Sequence, residues 1–242
     1  IYTGEDTLSL HDALPISVMA IANPLDTEIW RPIDQSIARE ELGLPQNVPL
    51  ILFGASGGAM DPRKGFDLLL ESLPLLQKSM HDQRMSSLEL VVFGQDAPKG
   101  GSDLSNLNIP THYMGHINND HTLQLLYSAA DVMVVPSRQE TFGQTASEAL
   151  ACGCVVVSSD NDGSLEILSH DVNGLIVPRG DRAGFVKQIG RTLSDSTLEE
   201  SLRMSAAGRI KEFTWSRAAD QMEKFLREIP ALPAAASTSV PT

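Results

Sequence analysis

The sequence predicts an α/β fold built on a doubly wound parallel sheet. Three observations carry that expectation. Short apolar runs rich in β-branched residues recur along the chain, stretches with helical spacing lie between them, and the runs are nearly continuous rather than alternating. Continuous apolar runs mark strands buried on both faces. Strand and helix in alternation imply right-handed crossovers, with helices covering each side of the sheet.

The elements follow in chain order. Strands are expected at 18–21 (VMAI), 50–53 (LILF), 88–93 (LELVVF), 132–135 (VMVV), 154–157 (CVVV) and 174–177 (GLIV). His112 is placed on or beside a further strand. A helix is expected over 66–77, where Phe66, Leu69, Leu70, Leu73 and Leu76 share one face. Another covers 120–130, with Leu123, Leu126 and Tyr127, and a short one rich in small residues covers 144–151. Helices over 182–193, 197–213 and 216–227 complete the set, with Trp215 expected to anchor the last of them to the sheet. Residues 94–110 form a polar, Gly-rich loop, and 230–242 (PALPAAASTSVPT) read as a disordered tail.

Composition excludes several classes. The chain has 242 residues, 42% of them hydrophobic, so it is not a mainly disordered polymer. No apolar run approaches the ~20 residues needed to cross a bilayer. Against 31 acidic side chains stand 18 basic ones, a net charge of −13 that argues against a nucleic-acid-binding surface. Cys152 and Cys154 are too close together in the chain to staple distant segments, so a disulfide framework is excluded and a reducing, cytoplasmic compartment is expected. Residues 7–16 (TLSLHDALPI) back-translate to something that resembles a common sequencing-library adapter. Residues 1–16 are therefore expected to be foreign or a disordered leader, with the natural chain starting further upstream. The folded domain is then 17–229.

Two stretches carry chemistry. The first, GASGGAMDPRKG, lies between the strand at 50–53 and the helix at 66. A Gly-rich strand-to-helix turn offers backbone N–H groups, here around Gly57 and Gly58, and a positive helix end to an anion. Arg63 and Lys64 add charge at the same place, which together suits a diphosphate. The turn is neither GxxxxGK[ST] nor GxGxxG; a flexible turn with two solvated bases is the plain alternative.

The second stretch, PSRQETFGQTASEALACGCVVVSS, starts where the strand at 132–135 ends. Glu140 falls in a loop, Gly143 opens a helix, and Glu148 lies about one and a half turns into it. Gly143 allows close backbone approach, and the N–H groups of Phe142, Gly143 and Gln144 can face a ligand. Carboxylates accept from sugar hydroxyls while a helix end takes phosphate. The plain alternative is a capping Glu140 and a solvated Glu148.

From Ser17 to Glu228 the chain resembles the C-terminal domain of retaining GT-B glycosyltransferases of family four. The resemblance rests on the Glu pair in ETFGQTASE followed by ALACGCVVVSS, on NPLDTEIWRP, DPRKGFDLLLESL and GHINNDHTLQLLYSAADVMVVPS, and on SLEILSHDVNGLIVP and FTWSRAADQME, all in the family's order. It implies one Rossmann-like half of a two-domain architecture. It also implies that Lys64 grips the diphosphate of a nucleotide-sugar donor, of UDP or GDP type, and that Glu148 binds the ribose. Glu140, Thr141, Phe142, Gly143 and Gln144 would surround the donor sugar, with Lys64 and Glu140 closest to the chemistry. His116 and Ile117 would sit at the rim of the base pocket. One departure is visible: the turn GASGGAM lacks the arginine many relatives carry, leaving Arg63 or the N–H groups to serve.

The resemblance further implies transfer with retention, no catalytic metal and no other cofactor. The acceptor pocket would lie on an N-terminal domain that this chain lacks, so the chain alone is expected to bind donor without turnover. The expected setting is cell-envelope or exopolysaccharide synthesis, with any docking at the inner membrane face made through that domain. A sugar-nucleotide epimerase of the same architecture and a non-catalytic nucleotide-binding module remain the alternatives.

Overall fold

The computed structural model describes residues 18–54, 61–82, 87–97 and 109–228. Six parallel strands form one sheet: β1 (Leu50–Gly54), β2 (Glu89–Phe93), β3 (Thr111–Tyr113), β4 (Val132–Val135), β5 (Val155–Ser159) and β6 (Leu175–Val177). Their order is β3-β2-β1-β4-β5-β6. The chain runs outward from β1 to β3, then returns to β4 on the other side of β1. The strand order therefore reverses between β1 and β4, which places a ligand crevice beyond Gly54 and Val135.

The strands are buried on both faces because each is apolar at consecutive positions. Leu52, Val91, Met133 and Val156 face α1 (Gln35–Leu42), α3 (Asp120–Ala129) and α4 (Gln144–Ala151). Ile51, Val92, Val132, Val134 and Val157 face α2 (Phe66–Asp82) and α6 (Arg182–Ser194). A short α5 (Asp162–Ile167) follows β5, and α7 (Ser196–Ile210) feeds Leu202 to one layer and Ala206 and Ile210 to the other. A 3-10 turn, Lys211–Phe213, leads to α8 (Trp215–Glu228).

Several expectations are corrected. Residues 18–21 form no strand, and Val18 is 84% exposed. That run has only two β-branched residues; the nearby pairing is instead made by Leu25, which bridges to Thr214 and whose N–H donates to the Phe213 carbonyl at 2.6 Å. Trp215 is no anchor: it is 65% exposed, and Phe213 is buried in its place. Helices α1 and α5 were not anticipated. Each is short, and each starts on a side-chain cap, Asp34 Oδ1 accepting from Ser36 and Ile37 N–H and Asn161 Oδ1 from Ser164 N–H. The strand expected on or beside His112 is present as edge strand β3, Thr-His-Tyr, a half-buried pattern whose bounds apolar continuity does not reveal. Cys152 and Cys154 are free and buried, and burial pushes both thiols well above their ordinary range.

Candidate functional site

Half of the residues expected to carry chemistry converge at the switch point, Lys64, Glu140 and Glu148 among them. Beyond β1, Asp61 caps the 3-10 turn Pro62–Lys64, its Oδ1 accepting from Arg63 N–H at 2.9 Å. Gly65 ends that turn at φ 70°, a left-handed conformation that suits glycine. A Cβ there would stand 2.1 Å from the Pro136 carbonyl oxygen, at the exit of β4. The two loops are tied further by Arg138: its N–H donates to the Arg63 carbonyl at 2.7 Å, and its guanidinium forks onto Asp67 at 2.9 and 2.6 Å. This stitching delivers Lys64 Nζ to Glu140 Oε2 at 2.9 Å, with side chains 25% and 15% exposed. Ser137 Oγ also donates to Glu140, at 3.3 Å.

Glycine contacts lock the Glu140 loop from its other side. A Cβ on Gly163 would come within 2.7 Å of Phe142 N and 2.8 Å of the Glu140 carbonyl oxygen. Gly65→Ala is expected to combine that kind of clash with left-handed strain, costing about 2–3 kcal/mol. A thermal melt of the variant checks this, and a melting temperature equal to the parent's would contradict it.

Helix α4 begins at Gly143, φ 76°, with no side chain capping its first turn. Its N-terminal residues Gln144 and Thr145 line a cavity of about 420 Å³ that Lys64, Glu140 and Glu148 also line. Phe93 at the end of β2 and Gly94 just beyond it, with His116, Ile117 and Asn118 after β3, supply the less charged side, with Leu123 and Tyr127 from α3. Glu148 is 5% exposed. Its Oε2 accepts from Tyr127 Oη at 2.8 Å and its Oε1 from Gln144 Nε2 at 3.0 Å. Burial raises the Glu148 pKa, and those two hydrogen bonds oppose the rise.

The sign of that shift has a stability consequence. A carboxyl whose folded pKa lies above its ordinary value makes the ionised fold less stable at neutral pH, a cost that vanishes as pH falls through the folded pKa. Glu148→Gln is therefore expected to raise the melting temperature at neutral pH by about 2–4 °C. The gain should shrink as the medium is acidified; a fall in melting temperature at neutral pH would refute this.

Six expected site residues line the cavity together: Lys64, His116, Ile117, Glu140, Gln144 and Glu148. Arg63 does not. Its side chain is 68% exposed and forks onto Asp61, whose carboxyl is held at about 2 by the Arg63 hydrogen bonds. Thr141 is exposed in the loop, and Phe142 is buried edge-on against Phe213 at 6.1 Å, so Phe142 offers backbone and not its ring. Gly143 is the cap itself. Gly57 and Gly58 lie outside the described residues. Sequence reasoning missed Ser137, Phe93, Thr145 and above all Tyr127, which it assigned to helix packing alone. The signal was present, because a buried tyrosine hydroxyl needs a polar partner.

Among the described residues no group of three or more His, Cys, Asp or Glu side chains is placed to hold a metal ion. His112 bonds Glu89 at 2.6 Å, away from His116 in the cavity. A cleft of about 490 Å³ lies between 20–22 and α8, but its Arg209 is already committed to the Glu166 carbonyl, Glu212 and the Phe213 ring. No helix among the described residues is long and apolar enough to cross a membrane.

Fold and site together define a Rossmann-like α/β domain with a polar cavity at its strand-order reversal. The chain belongs to the glycosyl transferases group 1 family, whose model matches residues 34–211. It is 28% identical over 236 residues to the D-inositol 3-phosphate glycosyltransferase of Saccharomonospora viridis, covering 94% of this chain and 54% of that protein. The chain thus spans about half the length of the curated relatives it matches. HepE of Anabaena, solved in complex with UDP and glucose, superposes with a TM-score of 0.70 at 22% identity, over 86% of this chain and 56% of that one. The C-terminal domain of the group 1 glycosyl transferase LpcC from Francisella tularensis superposes with a TM-score of 0.63 at 22% identity, over 77% of this chain and 96% of that domain. The fold is that of the C-terminal half of a GT-B enzyme, as the resemblance implied.

Proposed function

We propose that this chain binds the nucleoside-diphosphate sugar donor of a retaining glycosyltransferase. The observation that carries the reading is the convergence of Lys64, Glu140, the uncapped start of α4 and buried Glu148 on one cavity. Each has a separate task. Lys64 and the α4 N–H groups hold the diphosphate, Glu148 accepts from the ribose hydroxyls, and Glu140 accepts from the donor sugar. His116 and Ile117 flank the base.

In transfer, the bond from the anomeric carbon to the diphosphate breaks and negative charge accumulates on the leaving oxygens. Lys64 and the positive end of α4 stabilise that charge best when it is greatest, which is how fixed donors lower a barrier. Arg63 contributes little to this, because Asp61 already neutralises it. The donor-side groups are on this chain, and we propose that it binds donor without transferring sugar alone, with acceptor contacts supplied from a further domain. A cytoplasmic setting fits the two free thiols. The expectation of envelope or exopolysaccharide synthesis gains no support from relatives that carry the name D-inositol 3-phosphate glycosyltransferase.

Isothermal titration with UDP, GDP and ADP and their sugars tests the reading. Two or three phosphate contacts correspond to a dissociation constant of about 1 mM for the nucleotide alone. Absence of heat with all three overturns donor binding, and sugar transfer by the chain alone overturns the second part.

A further inference from the structure

The contact between Tyr127 and Glu148 asks for an explanation that packing does not supply. The Tyr127 ring is fully buried, edge-on to Phe93 at 5.9 Å and tilted against Trp30 at 5.9 Å. A phenylalanine would fill the same space without bringing a hydroxyl into an apolar layer. Yet the hydroxyl points at a carboxylate that lines the cavity. A carboxylate offers about four lone-pair directions. Tyr127 takes one on Oε2 and Gln144 one on Oε1. One direction on each oxygen is left, the number of acceptors that two neighbouring hydroxyls require, on a side chain that lines the cavity.

We propose that Tyr127 is a positioning residue, whose buried hydroxyl orients the Glu148 carboxylate to accept from the vicinal diol of a ligand's ribose. The inference rests on the donor-binding reading and adds a residue to it. Tyr127 acts through Glu148 and does not itself bond the ligand. The same hydrogen bond favours the ionised carboxylate against burial, as does that from Gln144. Other charged or titratable groups near Glu148 are Asp120 at the start of α3, the Cys152 thiol at the end of α4, and the cavity-lining Lys64, Glu140 and His116. Removing the hydroxyl raises the Glu148 pKa further, so the protonated form, which has lost an acceptor, takes over at a higher pH.

The test is isothermal titration of the full chain and its Tyr127→Phe variant with UDP, GDP and ADP and their 2′-deoxy counterparts, at about pH 5.5 and about pH 8. The parent should prefer the ribose form. In the variant, affinity for the ribose form should fall about ten- to hundredfold, as expected for losing a bond to a charged group. The preference over the deoxy form should shrink, and the loss should be larger at the acid pH. In a Glu148→Gln background, Tyr127→Phe should have no further effect on affinity. A merely structural tyrosine would alter the melting temperature and leave the ribose preference and the pH profile alone; that result overturns the inference while donor binding stands. No binding of any nucleotide by the parent overturns donor binding and this inference with it. Where the variant does not fold, 3-fluorotyrosine incorporation strengthens the donor in place. It should move the pH midpoint of binding downward, and an unmoved midpoint overturns the proposal.

Discussion

Arg39→Ala is expected to cost about 3–5 kcal/mol of folding stability, the range for breaking a buried ion pair from one side. The Arg39 side chain is 5% exposed and that of Asp131 is 22% exposed. Nε donates to the Ala129 carbonyl at 2.9 Å, Nη1 to the carbonyls of Gln46 and Val48 at 2.9 and 3.2 Å, and Nη2 to Asp131 Oδ2 at 2.8 Å. Asp131 in turn accepts from Leu50 N–H at 2.6 Å and from Gln35 Nε2 at 3.1 Å. One guanidinium thus ties α1, the loop entering β1 and the corner between α3 and β4. Its removal leaves several buried acceptors and a carboxylate without their cation. Domains hold only about 5–15 kcal/mol in total, so this one change threatens the fold. Urea denaturation should show a lower midpoint with an unchanged slope. A midpoint within error of the parent's would show that water replaces the guanidinium at no cost. The network sits where β1 and β4 begin, whereas the cavity lies where they end. Protein that remains folded should therefore bind nucleotide with parental affinity.

Glu140→Gln and Lys64→Ala are expected to move nucleoside-diphosphate affinity in opposite directions. Lys64 and Glu140 neutralise each other at 2.9 Å. A diphosphate that takes Lys64 must compete with that carboxylate and also suffers its repulsion. The Glu140→Gln change keeps the side chain's shape and drops its charge, so UDP, which carries no sugar to use Glu140, should bind about three- to tenfold more tightly. Lys64→Ala removes the cation and leaves Glu140 facing the phosphates, so affinity should fall about ten- to hundredfold. The nucleotide sugar should gain less than UDP from Glu140→Gln, because it loses a charged acceptor for its hydroxyls. Titrations of parent and variants at one ionic strength measure all of this. Weaker binding of UDP to Glu140→Gln would show that the carboxylate does not compete for Lys64.

The strands with apolar continuity, β1, β2, β4, β5 and β6, were legible because burial on both faces leaves a one-dimensional trace. Edge strand β3 left no such apolar trace, since a half-buried edge tolerates Thr111 and His112; the expectation of a strand on or beside His112 is met without its bounds having been read. Helix α4 and the Glu140–Glu148 spacing were legible because glycine and small residues punctuate them. The network around Arg39 was invisible: two of its partners, the Ala129 carbonyl and Asp131, are 90 and 92 residues away, and the nearer ones are backbone carbonyls, which every residue possesses. Arg63 and Lys64 looked equivalent as neighbouring cations. Only the turn set by Asp61 separated them, by taking one cation for itself and turning the other to Glu140.

Taken alone, the amino-acid order determined the layered α/β class, most strand positions and which side chains were candidates for a ligand site, since all of these depend on local pattern and residue chemistry. Tertiary structure decided which of those side chains meet. Gly65 against Pro136 and Gly163 against the Glu140 loop are contacts of backbone with backbone, across loops far apart in the chain. Whether Glu148 lies on a solvated face or buried beneath a tyrosine hydroxyl depends on how α3 packs on α4. The physical reason is that the energy of a charge is set by what surrounds it in space, and chain neighbours supply only a small part of those surroundings.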